Sequence, residues 1–261
     1  QENFKDSAVF GELTWNISDD FRLTGGFRYF DLDYDNDTFM GVGLFEAFHV
    51  DEQVQLSGSD SDTLFKVNAS WDLNDNAMVY GTISEGFRRG GTNAVPLSGT
   101  FAESPAWLRY GPDTTTNYEV GIKGNWNNSF YNASLFYVDW EDIQLNTSTT
   151  NWAFYAAQNG SSATTQGIEL EYDLAFGEGW RLNAGYAYTE GELDEVMWSA
   201  DDVYVVAQAG AKLPGLAEHT VNAMLEYAVE IGSGIQWVNR ISGYYQSETK
   251  NYISDTSAFF S

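Results

Sequence analysis

The chain contains no cysteine. That removes a disulfide framework, a thiolate metal site and a cysteine nucleophile from consideration. Proline is scarce, at 4 in 261 residues. Three of these, Pro96, Pro105 and Pro112, fall between Arg88 and Pro112. Proline cannot donate to a strand ladder, so that segment reads as a connection. Basic residues number 12 against 38 acidic ones, a formal net charge of −26. Without a basic patch to neutralise phosphates, nucleic-acid binding has no basis. The acidity reads first as a solvated surface, and second as one that attracts cations or works in high salt. No run of about 18 apolar residues occurs, so the sequence offers no transmembrane helix. No basic and apolar leader opens the chain, which reads as a removed signal peptide or an internal start.

Aromatic residues are abundant. Trp 9, Tyr 16 and Phe 17 make up 16% of the chain, and hydrophobic residues reach 43%, enough for one large folded domain or two ordinary ones. The clearest pattern is NYEVGIKGNWNNSFYNASLFYVDWEDIQ, from Asn117 to Gln144. Tyr118, Val120, Ile122 and Trp126 alternate with Asn117, Glu119, Gly121 and Lys123, the period of a two-faced strand. Asn127-Asn128-Ser129 supplies turn chemistry, and Tyr131, Ala133, Leu135 and Tyr137 resume the apolar face.

Four further hairpins follow the same plan. In the first, Val9, Leu13, Trp15 and Ile17 lead through Ser18-Asp19-Asp20 to Phe21, Leu23, Gly25, Phe27 and Tyr29. In the second, Phe65, Val67, Ala69, Trp71 and Leu73 turn at Asn74-Asp75-Asn76 into Ala77, Val79, Gly81 and Ile83. The fourth turns at Phe176-Gly177-Glu178-Gly179, between Ile168 to Leu174 and Trp180 to Tyr188. The fifth turns near Ile231-Gly232-Ser233-Gly234. The segments Tyr34 to Ser61, Arg88 to Pro112, Asn146 to Ser162 and Glu190 to Pro214 read as long loops.

Short turns on one side and long loops on the other suit a membrane barrel, where one rim carries turns and the other extended loops. A kelch-type propeller repeats at a similar interval but needs four short strands per blade, and two long ones are present here. Trp15, Phe21, Trp71, Trp126, Tyr131 and Trp180 gather near the short turns, as an aromatic girdle at a membrane interface would. The fold class expected is therefore all-β, an antiparallel transmembrane β-barrel. Its ten strands are part of a wider one, with Ser257 to Ser261 starting another strand.

Enzymatic readings lack support. His49 and His219 have no serine or cysteine elbow, and Glu169 and Glu171 share a polar face that suits a lumen lining better than paired catalysis. No cofactor is expected. Asp31, Asp33, Asp35 and Asp37 form the one weak Ca²⁺ candidate. Asn36 and Val42 stand where an EF-hand needs glycine and glutamate, so a solvated acidic loop is favoured. The long loops hold the binding candidates: Arg88, Arg89, Trp107, Arg109 and Tyr110, then Trp152 and Tyr155, then Trp198. Aromatics there can stack on a ligand and arginines can grip an anionic chelate. Arg88 and Arg89 have an equal claim to pair with lumen acids or a plug.

Several stretches resemble the barrel of TonB-dependent outer-membrane receptors. They are AVFGELTWNISDDFRLTGGFRY (Ala8 to Tyr29), YGTISEGFRRGGTN (Tyr80 to Asn93), TTTNYEVGIKG (Thr114 to Gly124), SLFYVDWEDIQ (Ser134 to Gln144), TTQGIELEYD (Thr164 to Asp173) and GYAYTEGEL (Gly185 to Leu193). Two departures are local: Asp113 stands where the family often has glutamate, and Ala217 where it often has proline. The resemblance implies that residues 1–261 are part of one barrel domain of about 22 strands. The plug domain, the early strands and the closing strands would lie outside this chain. It further implies a Gram-negative outer membrane, lipid around the wall, the receptor's own plug, and a TonB complex acting through that plug. The function implied is active import of a scarce ligand: a ferric siderophore, haem, cobalamin or oligosaccharide. The alternatives are a passive porin or structural barrel without a plug, and a secreted adhesin or glycan-binding module.

Overall fold

A computed structural model describes residues 2–43 and 49–253. Ten strands form one antiparallel sheet, each hydrogen-bonded to the next along the chain. They are β1 (Glu2–Asn16), β2 (Phe21–Gly43), β3 (His49–Asn74), β4 (Ala77–Arg88), β7 (Asp113–Trp126), β8 (Ser129–Glu141), β11 (Ala163–Phe176), β12 (Trp180–Leu193), β15 (His219–Glu230) and β16 (Gln236–Gln246). Three short pairs stiffen the long connections: β5 (Gly91–Thr92) with β6 (Arg109–Tyr110), β9 (Gln144–Ser148) with β10 (Tyr155–Asn159), and β13 (Met197–Trp198) with β14 (Val205–Ala207). All five expected hairpins are present. The expected strand at Ser257 to Ser261 lies outside the described residues.

Turn chemistry explains the tight rim. Asn127 adopts φ 52° between β7 and β8, a left-handed geometry that asparagine tolerates. Gly179, at φ 82°, lets the β11–β12 turn approach Ala228, whose N–H donates to the Gly179 carbonyl at 2.8 Å. A Cβ at Gly179 would collide with the Ala228 carbonyl oxygen.

The register puts one kind of side chain on each face. Phe21 opposes Trp71, Val67 opposes Ile83, Val120 opposes Leu135, and Leu135 also opposes Ile168. This face is apolar and largely uncovered by protein. The other face carries ion pairs: Arg22 with Asp72 at 2.5 Å, Lys66 with Glu12 at 3.6 Å, Arg181 with Asp173 at 2.8 Å, and Arg240 with Glu226.

One expectation is overturned. Most of the segment from Tyr34 to Ser61 is not a loop: Tyr34 pairs with Gly58 and Thr38 with Val54 as β2 and β3 continue. At 23 residues, β2 spans about 75 Å, far more than the 9–11 residues or so that cross a bilayer. The alternation persists with its polarity inverted. Phe27 and Tyr29 occupy the face that then carries Asp31, Asp33, Asp35 and Asp37, while Phe30, Leu32 and Tyr34 are buried on the opposite face. Glycines and aspartates lower strand propensity and conceal this shifted period. The acidic run is a solvated strand face. Successive aspartates on it stand roughly 7 Å apart, and among the described residues no group of three or more His, Cys, Asp or Glu could hold a metal.

The protein's buried core lies in the connections. One cluster joins Ile143, Ala163, Leu193, Met197, Val206, Ala207, Ala211, Leu213 and Ile253. A second joins Val95, Trp107 and Ala156. The barrel wall needs no comparable core on its apolar side, because lipid covers that face.

Leu135→Arg, in the middle of the apolar face, is expected to destabilise the full-length protein by about 2–4 kcal/mol, the cost of a cation near the bilayer midplane. Asn132→Arg, on the opposite face, is expected to cost far less. Denaturant unfolding in lipid vesicles reads the difference, and equal costs would contradict the facing.

Candidate functional site

The loop end of the sheet brings three connections together. The first, between β4 and β7, leans on the inner face of β1 to β3. The Arg89 guanidinium sits 3.4 Å from the centroid of the Phe4 ring. Arg109 Nη1 donates to the Ser57 carbonyl at 2.6 Å, and Asn36 Nδ2 donates to Thr92 Oγ1. The Leu97 N–H donates to Glu52 at 2.7 Å. That bond and one from the Ser98 hydroxyl, the larger influence, hold the Glu52 carboxyl below its usual pKa.

Amide side chains join this connection to the one between β8 and β11. Asn93 Nδ2 donates to the carbonyls of Trp107 (2.8 Å) and Ala157 (2.6 Å), while its Oδ1 accepts the Ala157 N–H at 3.0 Å. Asn159 Oδ1 accepts the Gly111 N–H at 2.5 Å, and its Nδ2 donates to Asp142 O at 2.8 Å. Gln144 Nε2 donates to Arg89 O at 2.8 Å and Gly111 O at 2.9 Å. These side chains satisfy backbone groups that no ladder reaches.

Beneath them lies an ion pair whose acid is buried. Asp113 is 2% exposed, and both its oxygens take the Arg88 Nε–H at 3.2 Å. Asp113 also accepts the Gln144 N–H at 3.0 Å, and Arg88 Nη2 donates to Gln144 O at 3.0 Å. The Arg88 guanidinium lies 5.5 Å from the Trp140 ring centroid. Arg88 thus pairs with an acid of its own wall.

Hydroxyl–carboxylate bonds tie in the third connection. Thr149 Oγ1 donates to buried Glu103 at 2.5 Å, and Thr150 Oγ1 donates to Asp201 at 2.5 Å. The Trp107 indole N–H reaches Thr150 Oγ1 at 3.2 Å, and Ser199 Oγ donates to Asp201 at 2.8 Å. Burial alone would raise the Asp201 carboxyl, but the bonds from Thr150 and Ser199 outweigh it and leave its pKa lowered. Tyr204 donates its hydroxyl to Ser148 O. Burial, followed by the charges of Asp201 and Glu103, pushes the Tyr204 pKa up to about 12.

The sequence-derived candidates therefore separate. Trp107 is 0% exposed and serves as a core side chain of the loops. Arg88, Arg89 and Arg109 each hold a different partner and form no shared anion grip. Tyr110 is half-buried and lies across Gly91, where a Cβ would strike its hydroxyl. Trp152 (54% exposed), Tyr155 (65%) and Trp198 (49%) stand at the surface of the two neighbouring loop hairpins. At the other rim, Trp15, Phe21, Trp71, Trp126, Tyr131 and Trp180 share the apolar face beside the short turns. There Phe21 pairs with Trp71, and Trp180 packs on Tyr227 at 4.7 Å between ring centroids.

Sequence reasoning missed Asn93, Asn159, Gln144, Glu103 and Asp201, because loop amides and acids carry no periodic mark. One available cue was that Thr149 and Ser199 each open a loop tip with a hydroxyl residue, which favours side-chain-capped turns.

A family profile described as "TonB dependent receptor-like, beta-barrel" matches residues 1–260. The pesticin receptor of Yersinia pestis is 26% identical over 222 residues, which cover 84% of this chain and 31% of that protein. The ferripyoverdine receptor of Pseudomonas aeruginosa is 33% identical over 129 residues, which cover 47% of this chain and 15% of that one. The crystal structure of the ferric yersiniabactin uptake receptor from Yersinia pestis superposes with a TM-score of 0.71 at 20% identity, covering 92% of this chain and 34% of that chain. The chain thus spans about a third of the pesticin receptor's length.

Two outcomes are expected of the loop body. Arg88→Ala leaves the buried Asp113 carboxylate unpaired, and a loss of about 2–3 kcal/mol of local stability follows, less than for a fully buried pair because Arg88 is half-exposed. Faster hydrogen exchange at the Gln144 amide reads this, and an unchanged rate would contradict it. Because the folded Asp201 pKa is lowered, its contribution is present above the unfolded value and lost as pH falls through the folded one. The Tyr204 amide is therefore expected to lose protection only below about pH 4, and Asp201→Asn to abolish that acid dependence.

Proposed function

The chain belongs to the TonB-dependent receptor β-barrel family, and from that premise we propose that the protein it is part of imports a ferric siderophore across the outer membrane. Members of this family reside in the outer membrane of Gram-negative bacteria. The observation that carries the reading is the loop body. Three long connections, packed around cores of their own and cross-linked by Asn93, Asn159 and Thr150, form a preorganised outer surface above a barrel wall. Such a surface suits holding a ligand, since ordering has been completed before the ligand arrives. The named ligands of the relatives, ferric pyoverdine and ferric yersiniabactin, favour an iron chelate over haem, cobalamin or an oligosaccharide.

In this scheme the polar inner face, with Arg22–Asp72, Arg181–Asp173 and Arg240–Glu226, surrounds a plug. Energy from the inner membrane reaches the plug through TonB, and no covalent bond is made or broken. The six rim aromatics seat the wall at the headgroup level. A passive porin would need neither a packed loop body nor energy.

The test is uptake of ferric chelates by iron-starved cells that carry or lack the full-length gene. Uptake should vanish without the protein and also without TonB. Uptake that persists without TonB would move the reading to a passive barrel, and uptake that never depended on the protein would sink iron import.

A further inference from the structure

The sequence contains a single Asn–Gly step, Asn159-Gly160. Such a step is chemically labile. The glycine nitrogen can attack the carboxamide carbon of the asparagine side chain and close a cyclic imide. The carboxamide C–N bond breaks, and ammonia departs with the proton of the attacking N–H. Water then opens the ring, leaving aspartate or the isomer whose main chain runs through the side-chain carbon. Glycine makes the attack easy, because no Cβ crowds its nitrogen.

The fold blocks this attack at both ends. Asn159 closes β10 and pairs with Gln144 at the start of β9. Its Nδ2 donates to the carbonyls of Asp142 (2.8 Å), Gly111 (3.1 Å) and Pro112 (3.4 Å), and its Oδ1 accepts the Gly111 N–H at 2.5 Å. The Gly160 N–H donates to Ile143 O at 2.6 Å, and the Ile143 N–H donates to Ser161 O at 3.3 Å. While the connections stay joined, the side chain is held away from the Gly160 nitrogen, and that nitrogen keeps its proton. Space is also short. A Cβ at Gly160 would stand 3.1 Å from Ile143 Cγ2 and 3.2 Å from Met197 Sδ, both residues of the larger loop core. Asn159 and Gly160 are themselves only half-buried, so a local opening suffices to free them and admit water.

The product does not restore the joint. An aspartate at 159 has no N–H to give, and its charge would face the three carbonyl oxygens that the amide now satisfies. Only the Gly111 N–H would remain to it as a donor. The isomer lengthens the main chain at the end of β10, which displaces the Gly160 N–H from Ile143 O.

We propose that Asn159-Gly160 is a latent deamidation site, guarded by the packed loops, and that its conversion permanently unfastens the β4–β7 connection from the β8–β11 connection. A transient opening is thereby turned into an irreversible loss of loop order. The reaction consumes only water and is independent of the import reading.

The test incubates the purified full-length receptor at mildly alkaline pH, either folded in detergent or unfolded in guanidinium chloride, and follows residue 159 by peptide mass spectrometry. The unfolded chain should convert at Asn159 ahead of its other asparagines, and the folded receptor at least about a hundred-fold more slowly. Asn159→Asp, the direct product, should speed hydrogen exchange at the Gly111 and Gly160 amides by about ten-fold. Asn128→Asp, at a tight turn of the other rim, should leave both amides unchanged. Equal rates in folded and unfolded chains, an unfolded chain that spares Asn159, or undisturbed exchange in Asn159→Asp would overturn the proposal. The rate comparison uses the unaltered chain, so it decides the matter even if Asn159→Asp fails to fold.

Discussion

Backbone N–H and C=O groups inside a bilayer find no water, so each must be bonded within the protein. The antiparallel pairing from β1 to β16 meets that demand for every strand between those two edges, and much else follows from it. Antiparallel neighbours joined directly by tight turns can alternate with neighbours joined by long connections, which gives the wall one plain rim and one elaborated rim. Period-two strands then send every second side chain to lipid. A one-residue slip would place Glu119 or Asp173 where Val120 or Leu174 belongs. The register shift between Asp72 and Asn74 falls beside a turn, at the rim, where the pairing has already left the apolar zone.

The same ladder crosses the membrane boundary without interruption, and only the side chains record where that boundary lies. On β2 the change comes between Tyr29 and Asp31 on one face and between Arg28 and Phe30 on the other. Below it, lipid covers the outward residues and the inward ones are polar. Above it, water meets the outward aspartates, and the inward Phe30, Leu32 and Tyr34 are covered by protein, with Phe30 stacked on Phe87 at 4.0 Å. Inverting the alternation keeps the strand amphipathic while its surroundings exchange sides.

That inversion explains what was legible in the sequence. The hairpins around Trp71, Asn127 and Gly177 could be read because a strong apolar period ends in recognisable turn residues. The β2–β3 extension could not, because Asp31 to Asp37 look like a loop when the buried partners at 30, 32 and 34 are counted as part of the lipid stripe. In the loops, residue type indicated the chemistry but not its direction. Trp107 and Trp152 are alike in sequence terms, yet one is fully buried and the other half-exposed. Arg88 was legible as a cation, and Asp113 stood out against the family pattern. Their pairing required knowing that β4 and β7 are neighbours, a relation that spans a connection of some two dozen residues.

Loops of this length usually lack the means to hold a shape. These succeed because they do not depend on the wall alone. Their cores are small and built largely from alanine, valine and leucine, with Trp107 and Met197 as the bulky members. Such cores contribute modestly, so the remaining fixation comes from Asn93, Asn159 and Gln144, which supply to the backbone the bonds that a sheet would otherwise provide. The consequence reaches the outer surface. Once Trp107, Leu193 and Met197 are buried and the arginines are committed to Asp113, Phe4 and Ser57, the large side chains left at the surface of the loops include Trp152, Tyr155, Trp198 and Val203. The surface character of the loops is thus set by what they needed to bury in order to fold.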